Sequence, residues 1–251
     1  MKSFKLVKYN IKSSIKSIII YYSIFITVLI SISILIVNKS SGAGVGSAGI
    51  EFSSMIFLFV IGLNSFKENF YFTQANNIPR IDYFKSQAIT ILPIALGMSM
   101  LDVIINRIYN IFVACPTIYD MAYGGSSYSV ENVEAWTQSN SIETLIGTVT
   151  FLFAFYITVF AIGLLITMIF YKCNKTMRII VVLSPLFLQV ILARIAYNFP
   201  NVSDKVTSFI DSLLGISTKN SYMSVITFIC LFIISMCFVY MLVRRVVVKR
   251  G

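Results

Sequence analysis

Six apolar runs constrain this chain more than any other feature. They cover residues 18–37, 50–66, 88–113, 146–171, 179–197 and 223–243. Each is continuous rather than alternating, and each reaches or approaches the roughly 20 residues a helix needs to cross the hydrocarbon of a bilayer. In hydrocarbon every backbone N–H and C=O must be satisfied internally, so spanning segments are helices or closed barrels. A barrel strand alternates in polarity over about ten residues, which these runs do not do. The expectation is an all-α, polytopic membrane protein with six transmembrane helices in a single transmembrane domain over residues 1–251. The second run is the weakest, being short and holding Glu51 and Asn64. Composition agrees: only 12% of the chain is charged, against roughly a quarter in soluble domains.

The placement of charge orients the set. Fifteen of the twenty Lys and Arg residues lie in the N-terminal segment (Lys2, Lys5, Lys8, Lys12, Lys16), the second connection (Lys67, Arg80, Lys85), the fourth (Lys172, Lys175, Arg178) and the C-terminus (Arg244, Arg245, Lys249, Arg250). The alternate connections hold Lys39, Lys205 and Lys219 alone. Such a bias marks cytoplasmic segments. It predicts both termini in the cytoplasm, which an even number of spans satisfies. The first run exceeds the 7–15 apolar residues, roughly, of a signal-peptide core, so it reads as a retained span. Before it, residues 1–17 carry Phe4, Val7, Ile11 and Ile15 on one stripe at helical spacing, with the five lysines on another arc. That pattern predicts an interfacial helix, lysines toward anionic lipid headgroups.

Several chemistries are excluded. The chain has no histidine, which removes the usual general base and most metal sites. Its four cysteines have no CxxC spacing. The net charge of +10 flanks apolar runs instead of forming a basic face, so nucleic acid is not an expected partner. No G-x-x-x-x-G-K-[ST] phosphate loop occurs. A G-x-G-x-x-G match spans Gly44 to Gly49, but it lies between two membrane runs and lacks the strand and helix that give such a loop meaning.

The second connection, residues 67–87, combines aromatic side chains with charges of both signs. Phe66, Phe70 and Tyr71 share a helical face after the second run. Pro79 interrupts, and Ile81, Tyr83 and Phe84 restart a helix leading into the third. Two readings of these residue types stay open: a short helix that docks a partner through aromatic and arginine anchors, and a packed turn with its rings at headgroup level.

The pattern Glu68-x-Phe70-x-Phe72, then Asn76-Asn77-Ile78-Pro79-Arg80 and Phe84, resembles a stretch of the small permease subunits of ABC-2 type exporters from Gram-positive bacteria. Those carry an Asn-Gly-x-Ser-Arg turn, from which this chain departs while keeping the arginine. The layout is also similar: an N-terminal interfacial helix, six spans, and no ATPase domain. Size and layout are similar, too, to the permeases that export phenol-soluble modulin peptides. The resemblance implies a permease in the plasma membrane of a bacterium, working as a homo- or heterodimer. It implies a coupling helix here, with Glu68, Phe70, Phe72, Arg80, Asp82 and Phe84 against a separate ABC ATPase subunit that binds ATP and Mg. It implies export of hydrophobic or amphipathic substrates such as toxic or antimicrobial peptides. This chain itself is expected to hold no cofactor and no catalytic site.

Other segments carry weaker signals. Val206, Phe209, Ile210, Leu213 and Leu214 share a helical face. The resemblance reads residues 206–217 as helices dipping back into the membrane; a surface amphipathic helix is the other reading. The connection 114–145 is acidic and has no basic residue. Asn140 with Glu143 looks like the cap of the fourth span. Asp102, Arg107 and Arg194 lie in or at the rims of spans, where charges are functional candidates. Asp102 and Arg107, five apart, are poorly spaced for an intrahelical pair. Asp102 is therefore expected to pair with Arg194 or a partner protomer, unless both arginines snorkel to the outer interface. Two further functions stand beside the transport subunit: a stand-alone membrane immunity or scaffold protein, and an intramembrane enzyme, for which one deep acid and no histidine leave little.

Overall fold

A computed structural model describes residues 2–39, 48–124 and 138–245. Its elements are α1 (Lys2–Lys39), α2 (Glu51–Asn64), α3 (Lys67–Ala75), α4 (Arg80–Tyr109), α5 (Ile118–Tyr123), α6 (Ile142–Lys172), α7 (Lys175–Asn198), α8 (Pro200–Leu214) and α9 (Ser221–Arg245). Among the described residues there is no strand.

Four helices are long and apolar enough to cross a membrane: Phe4–Ile36 of α1, Arg80–Tyr109 (α4), Ile142–Lys172 (α6) and Ser221–Arg244 of α9. The all-helical class is therefore established, and the apolar helices are compatible with a multi-pass membrane protein. The other two expected spans fall short by this measure. α2 has 14 residues, about 21 Å at 1.5 Å per residue. The apolar part of α7 is the shorter stretch Phe187–Asn198.

α6 is the centre of the bundle. It packs along α2 on one side and α9 on the other, and also meets α4 and α5. The α2–α6 crossing is close because both helices present glycine there. A Cβ on Gly62 would run into the Phe160 carbonyl oxygen, and one on Gly163 would run into that of Phe59. Small residues let backbones approach where lipid supplies no hydrophobic drive between helices. Hydroxyls reinforce the contacts: Thr167 donates to the Leu63 carbonyl of α2 at 2.6 Å, and Thr158 to the Phe228 carbonyl of α9 at 2.7 Å.

α1 lies along α4 and keeps an extensive apolar surface open. Its hydroxyls close on their own backbone: Ser23, Thr27, Ser31 and Ser33 each donate to the carbonyl four residues earlier. In hydrocarbon that is the available acceptor. The division expected between residues 17 and 18 is absent, because α1 is one uninterrupted helix of 38 residues. Its lysine-bearing part continues the apolar part and packs Leu6, Val7 and Asn10 out of contact with solvent.

α7 has α8 as its packing partner, and α8 in turn meets α9. α8 ends at Gly215, whose φ of +64° is left-handed and suits glycine. The carbonyls left open there are taken by Tyr123, donating to Leu214 at 2.7 Å, and Thr227, donating to Leu213 at 2.7 Å. Val206, Phe209, Ile210 and Leu213 remain exposed on α8. The cap of α6 is one residue later than expected. Ser141, not Asn140, accepts the Thr144 N–H at 3.2 Å. Ser141 and Asn140 are equally good caps in composition, and only the observed backbone separates them. Part of the acidic connection, residues 125–137, lies outside the described residues, as do Gly44 and Gly46 of the glycine-rich match.

Gly163→Val should lower stability by about 1–3 kcal/mol through overpacking. Gly97→Ala, where a Cβ meets nothing within 4 Å, should cost nothing. Thermal unfolding of the detergent-solubilised protein distinguishes the two; equal midpoints would mean that the α2–α6 crossing is looser than described.

Candidate functional site

Two groups of residues stand out, one inside the bundle and one at the lysine-rich end of α1. The inner group is built on Asp102, two turns before the end of α4 and 1% exposed. A carboxylate taken out of water costs several kcal/mol unless its lone pairs are satisfied. Here three hydroxyls from three other helices satisfy them. Tyr22 of α1 donates to Oδ1 at 2.9 Å, Ser54 of α2 donates to Oδ1 at 3.0 Å, and Tyr156 of α6 donates to Oδ2 at 2.5 Å. Tyr21 extends the network, its hydroxyl lying 3.0 Å from those of both Ser53 and Ser54.

The expected arginine partner is not found. Arg194 is exposed on α7, which packs on α8 rather than on α4. Arg107 is half-buried, and its three guanidinium nitrogens are enclosed without a hydrogen-bonding partner. The three hydroxyls were missed because Tyr22 and Tyr156 sit within apolar runs, where tyrosine reads as bulk. Their weak signal in the sequence is polarity at a depth where phenylalanine would serve.

Chemically the Asp102 cluster is a clamp. Hydrogen bonds to a charged acceptor contribute about 1.5–3 kcal/mol each, and these three tie α1, α2, α4 and α6 at one level. No group of three or more His, Cys, Asp or Glu is placed to hold a metal among the described residues.

The outer group is α3 and the turn leading to α4. α3 follows α2 after a break at Ser65 and Phe66. Phe66 and Phe70 stack at 5.1 Å, and Tyr83 of α4 meets both edge-on. All three rings are fully buried. Tyr83 also donates to the Ser65 carbonyl at 3.3 Å. Tyr71 shares a hydrogen bond of 3.1 Å with Tyr171 of α6, which pushes the Tyr71 phenol above its ordinary value. The turn passes through Asn77, whose φ of +51° is left-handed, a region asparagine tolerates better than most residues. The Ile78 N–H then donates to the Thr73 carbonyl at 2.9 Å. Pro79, lacking an N–H, precedes the first turn of α4.

The six residues assigned to coupling are therefore not equivalent. Phe70 is core. Phe72, 42% exposed, stacks on Tyr9 of α1 at 5.0 Å. Arg80 donates to the Arg244 carbonyl of α9 at 3.0 Å, and Phe84 packs on Tyr240 of α9 at 5.2 Å. Asp82 is half-buried in the first turn of α4. The Glu68 side chain lies outside the described residues. Beside Phe72, the segment also presents Asn76, Asn77, Pro79, Ile81 and Lys85, all exposed. A crevice of about 340 Å³ opens beside it, lined by Lys5, Leu6, Tyr9, Phe72, Asn76 and Ile78.

In comparison with known proteins, no family model matches the chain, and no curated protein or solved structure matches it.

Asp102→Ala should cost about 1–3 kcal/mol for each hydroxyl left buried without an acceptor, and Tyr156→Phe distinctly less than Asp102→Ala. Thermal midpoints in detergent give the order. If Asp102→Ala is as stable as the parent chain, Asp102 is not a clamp.

Proposed function

We propose that this chain is the membrane-spanning permease subunit of an ATP-driven exporter. It works as a dimer with separate ATPase subunits in the plasma membrane of a bacterium. The observation that carries the reading is the packing that holds the α3–turn–α4 spur to the rest of the chain. A permease without a nucleotide site receives work through a contact with its ATPase, and a flexible contact would dissipate it. The spur is fixed by the Phe66–Phe70–Tyr83 cluster on one side and by α1 and α9 on the other. It also continues without a break into α4, the helix that carries Asp102. A push on the spur therefore reaches the level where four helices are tied. In this reading α2 and α7 complete six spans, the shorter helices crossing with the help of local thinning. Both termini and the spur are cytoplasmic, as the lysine and arginine bias supports. The ATP and Mg belong to the partner ATPase. The apolar flanks of α1, α7 and α9 face lipid or the second protomer. The substrates are hydrophobic or amphipathic peptides, a class drawn from the resemblance in sequence alone.

Docking would use the outward face of the spur, not the aromatic residues that hold it. Ile81→Asp with Lys85→Glu should leave the membrane fold intact, release the ATPase on purification and abolish substrate-stimulated ATP hydrolysis. Phe70→Ala should instead lower stability, because its ring is fully buried. Retention of a coupled ATPase by the Ile81/Lys85 variant would remove the spur as the docking element. If the parent chain purifies alone and no ATPase accompanies it, the scaffold or immunity reading replaces this one.

A further inference from the structure

A crevice of about 330 Å³ separates the lysine-bearing part of α1 from the end of α2. α1 packs along α4 and reaches α2 through Tyr21, which stacks on Phe57 at 4.2 Å and meets the hydroxyls of Ser53 and Ser54. Four residues before Tyr21 and four after Phe57, Ser17 and Ile61 already line the crevice. Its polarity changes along its length. Phe57, Val60 and Ile61 line one part, and hydroxyls and amides line the other: Ser13, Ser14 and Ser17 of α1, with Asn64, Ser65 and Asn69 around the α2–α3 junction.

The hydroxyls of α1 give the depth. Ser23, Thr27, Ser31 and Ser33 close on their own backbone. Ser13, Ser14 and Ser17 form no side-chain hydrogen bond among the described residues. A change of habit between Ser17 and Ser23 is what the edge of a hydrocarbon layer would produce. On the facing wall Val60 and Ile61 give way to Asn64 at the same level. Two of the polar groups there are already used: the Ser65 hydroxyl donates to the Ile61 carbonyl at 2.6 Å, and the Asn69 amide to the Ser65 carbonyl at 3.2 Å. The three serines and Asn64 keep their donors free. Charge favours an anion. No acidic residue lines the crevice. Lys12 and Lys16, each one residue before a lining serine, and Lys67 are exposed. Against these three lysines, residues 12–17 and 57–69 hold one acid, Glu68.

We propose that this crevice binds a single anionic phospholipid from the leaflet on the lysine-rich side. Its phosphate accepts hydrogen bonds from Ser13, Ser14, Ser17 and Asn64, and an acyl chain lies over Phe57 and Val60. The lysines at the rim select an anionic headgroup over a zwitterionic one. The proposal rests on the chain lying in a bilayer and not on the transport reading; lipid retention by the chain alone is independent of ATPase coupling.

Native mass spectrometry of the full chain in detergent tests it. One copy of phosphatidylglycerol should be retained at about tenfold lower concentration than phosphatidylcholine. Ser13→Ala, Ser14→Ala and Ser17→Ala together should weaken that retention by about tenfold or more, since hydrogen bonds to a charged acceptor are the strong ones. Ser23→Ala with Thr27→Ala removes hydroxyls closed on their own helix and should change nothing. Lys12→Gln with Lys16→Gln should bring phosphatidylglycerol down toward phosphatidylcholine. Position is read by Val60→Trp, an exposed site on the apolar wall, with the chain's single tryptophan replaced by Trp136→Phe. Its fluorescence should be quenched by phosphatidylglycerol brominated in the acyl chains at a lower mole fraction than by brominated phosphatidylcholine. Equal retention of the two lipids by the parent chain, or unchanged retention by the serine variant, would overturn the site. So would an equal loss in the Ser23 and Thr27 variant. Displacement of the lipid by soluble glycerol phosphate would overturn it too, as a site for free phosphate. Should the serine variant fail to fold, the Val60→Trp quenching decides.

Discussion

The fold turns on one buried carboxylate. Asp102 is the only residue whose side chain hydrogen-bonds to three other long or span-like helices at once, among the described residues. In a bilayer helices are not driven together by the hydrophobic effect, because lipid tails are as apolar as leucine. What selects one arrangement is close backbone approach and polar satisfaction. Asp102 supplies the second, and Gly62 with Gly163 supplies the first. The carboxylate has no low-energy alternative in hydrocarbon, so the three hydroxyls must be where they are. That requirement fixes the rotation of α1, α2, α4 and α6 about their axes.

The same logic explains how α3 differs from the helices around it. It is short and carries little apolar surface of its own, and isolated helices of that length are marginal. It persists because Phe66, Phe70 and Tyr83 bury each other, and because Phe72 finds Tyr9. The aromatic residues that looked like anchors for another protein are mostly the means by which the spur is held to its own chain. The side chains that stay exposed on the spur include Ile81, Lys85 and the asparagine turn, and in the proposed docking role these would make the recognition surface. The interior polar groups divide in the same manner. The hydroxyls of Ser23, Thr27, Ser31 and Ser33 are silent, closed on their own helix. The side-chain polar atoms of Glu51 and Arg107 are enclosed without a hydrogen-bonding partner.

Much of this could be read from the amino-acid order. Long unbroken apolar runs dictate helices, because no other open structure satisfies its backbone in hydrocarbon. Pro79 dictates where α4 begins, since it lacks the N–H that would continue α3. The helix after Phe66, the restart at residue 80 and the burial of charge near residue 102 follow from local chemistry alone. Which atoms meet Asp102 did not follow. Tyr22, Ser54, Asp102 and Tyr156 are separated by 32, 48 and 54 residues along the chain, and a single sequence carries no register between helices. Arginine was the expected counter-group because charge is visible in a sequence and the direction of a hydroxyl is not. The continuity of α1 was hidden for a related reason: a change from amphipathic to wholly apolar marks a change of surroundings, not a break in the helix. Tertiary packing alone decided that the Arg107 guanidinium is enclosed and Arg194 exposed, since two arginines near helix ends are equivalent until neighbouring helices enclose one of them.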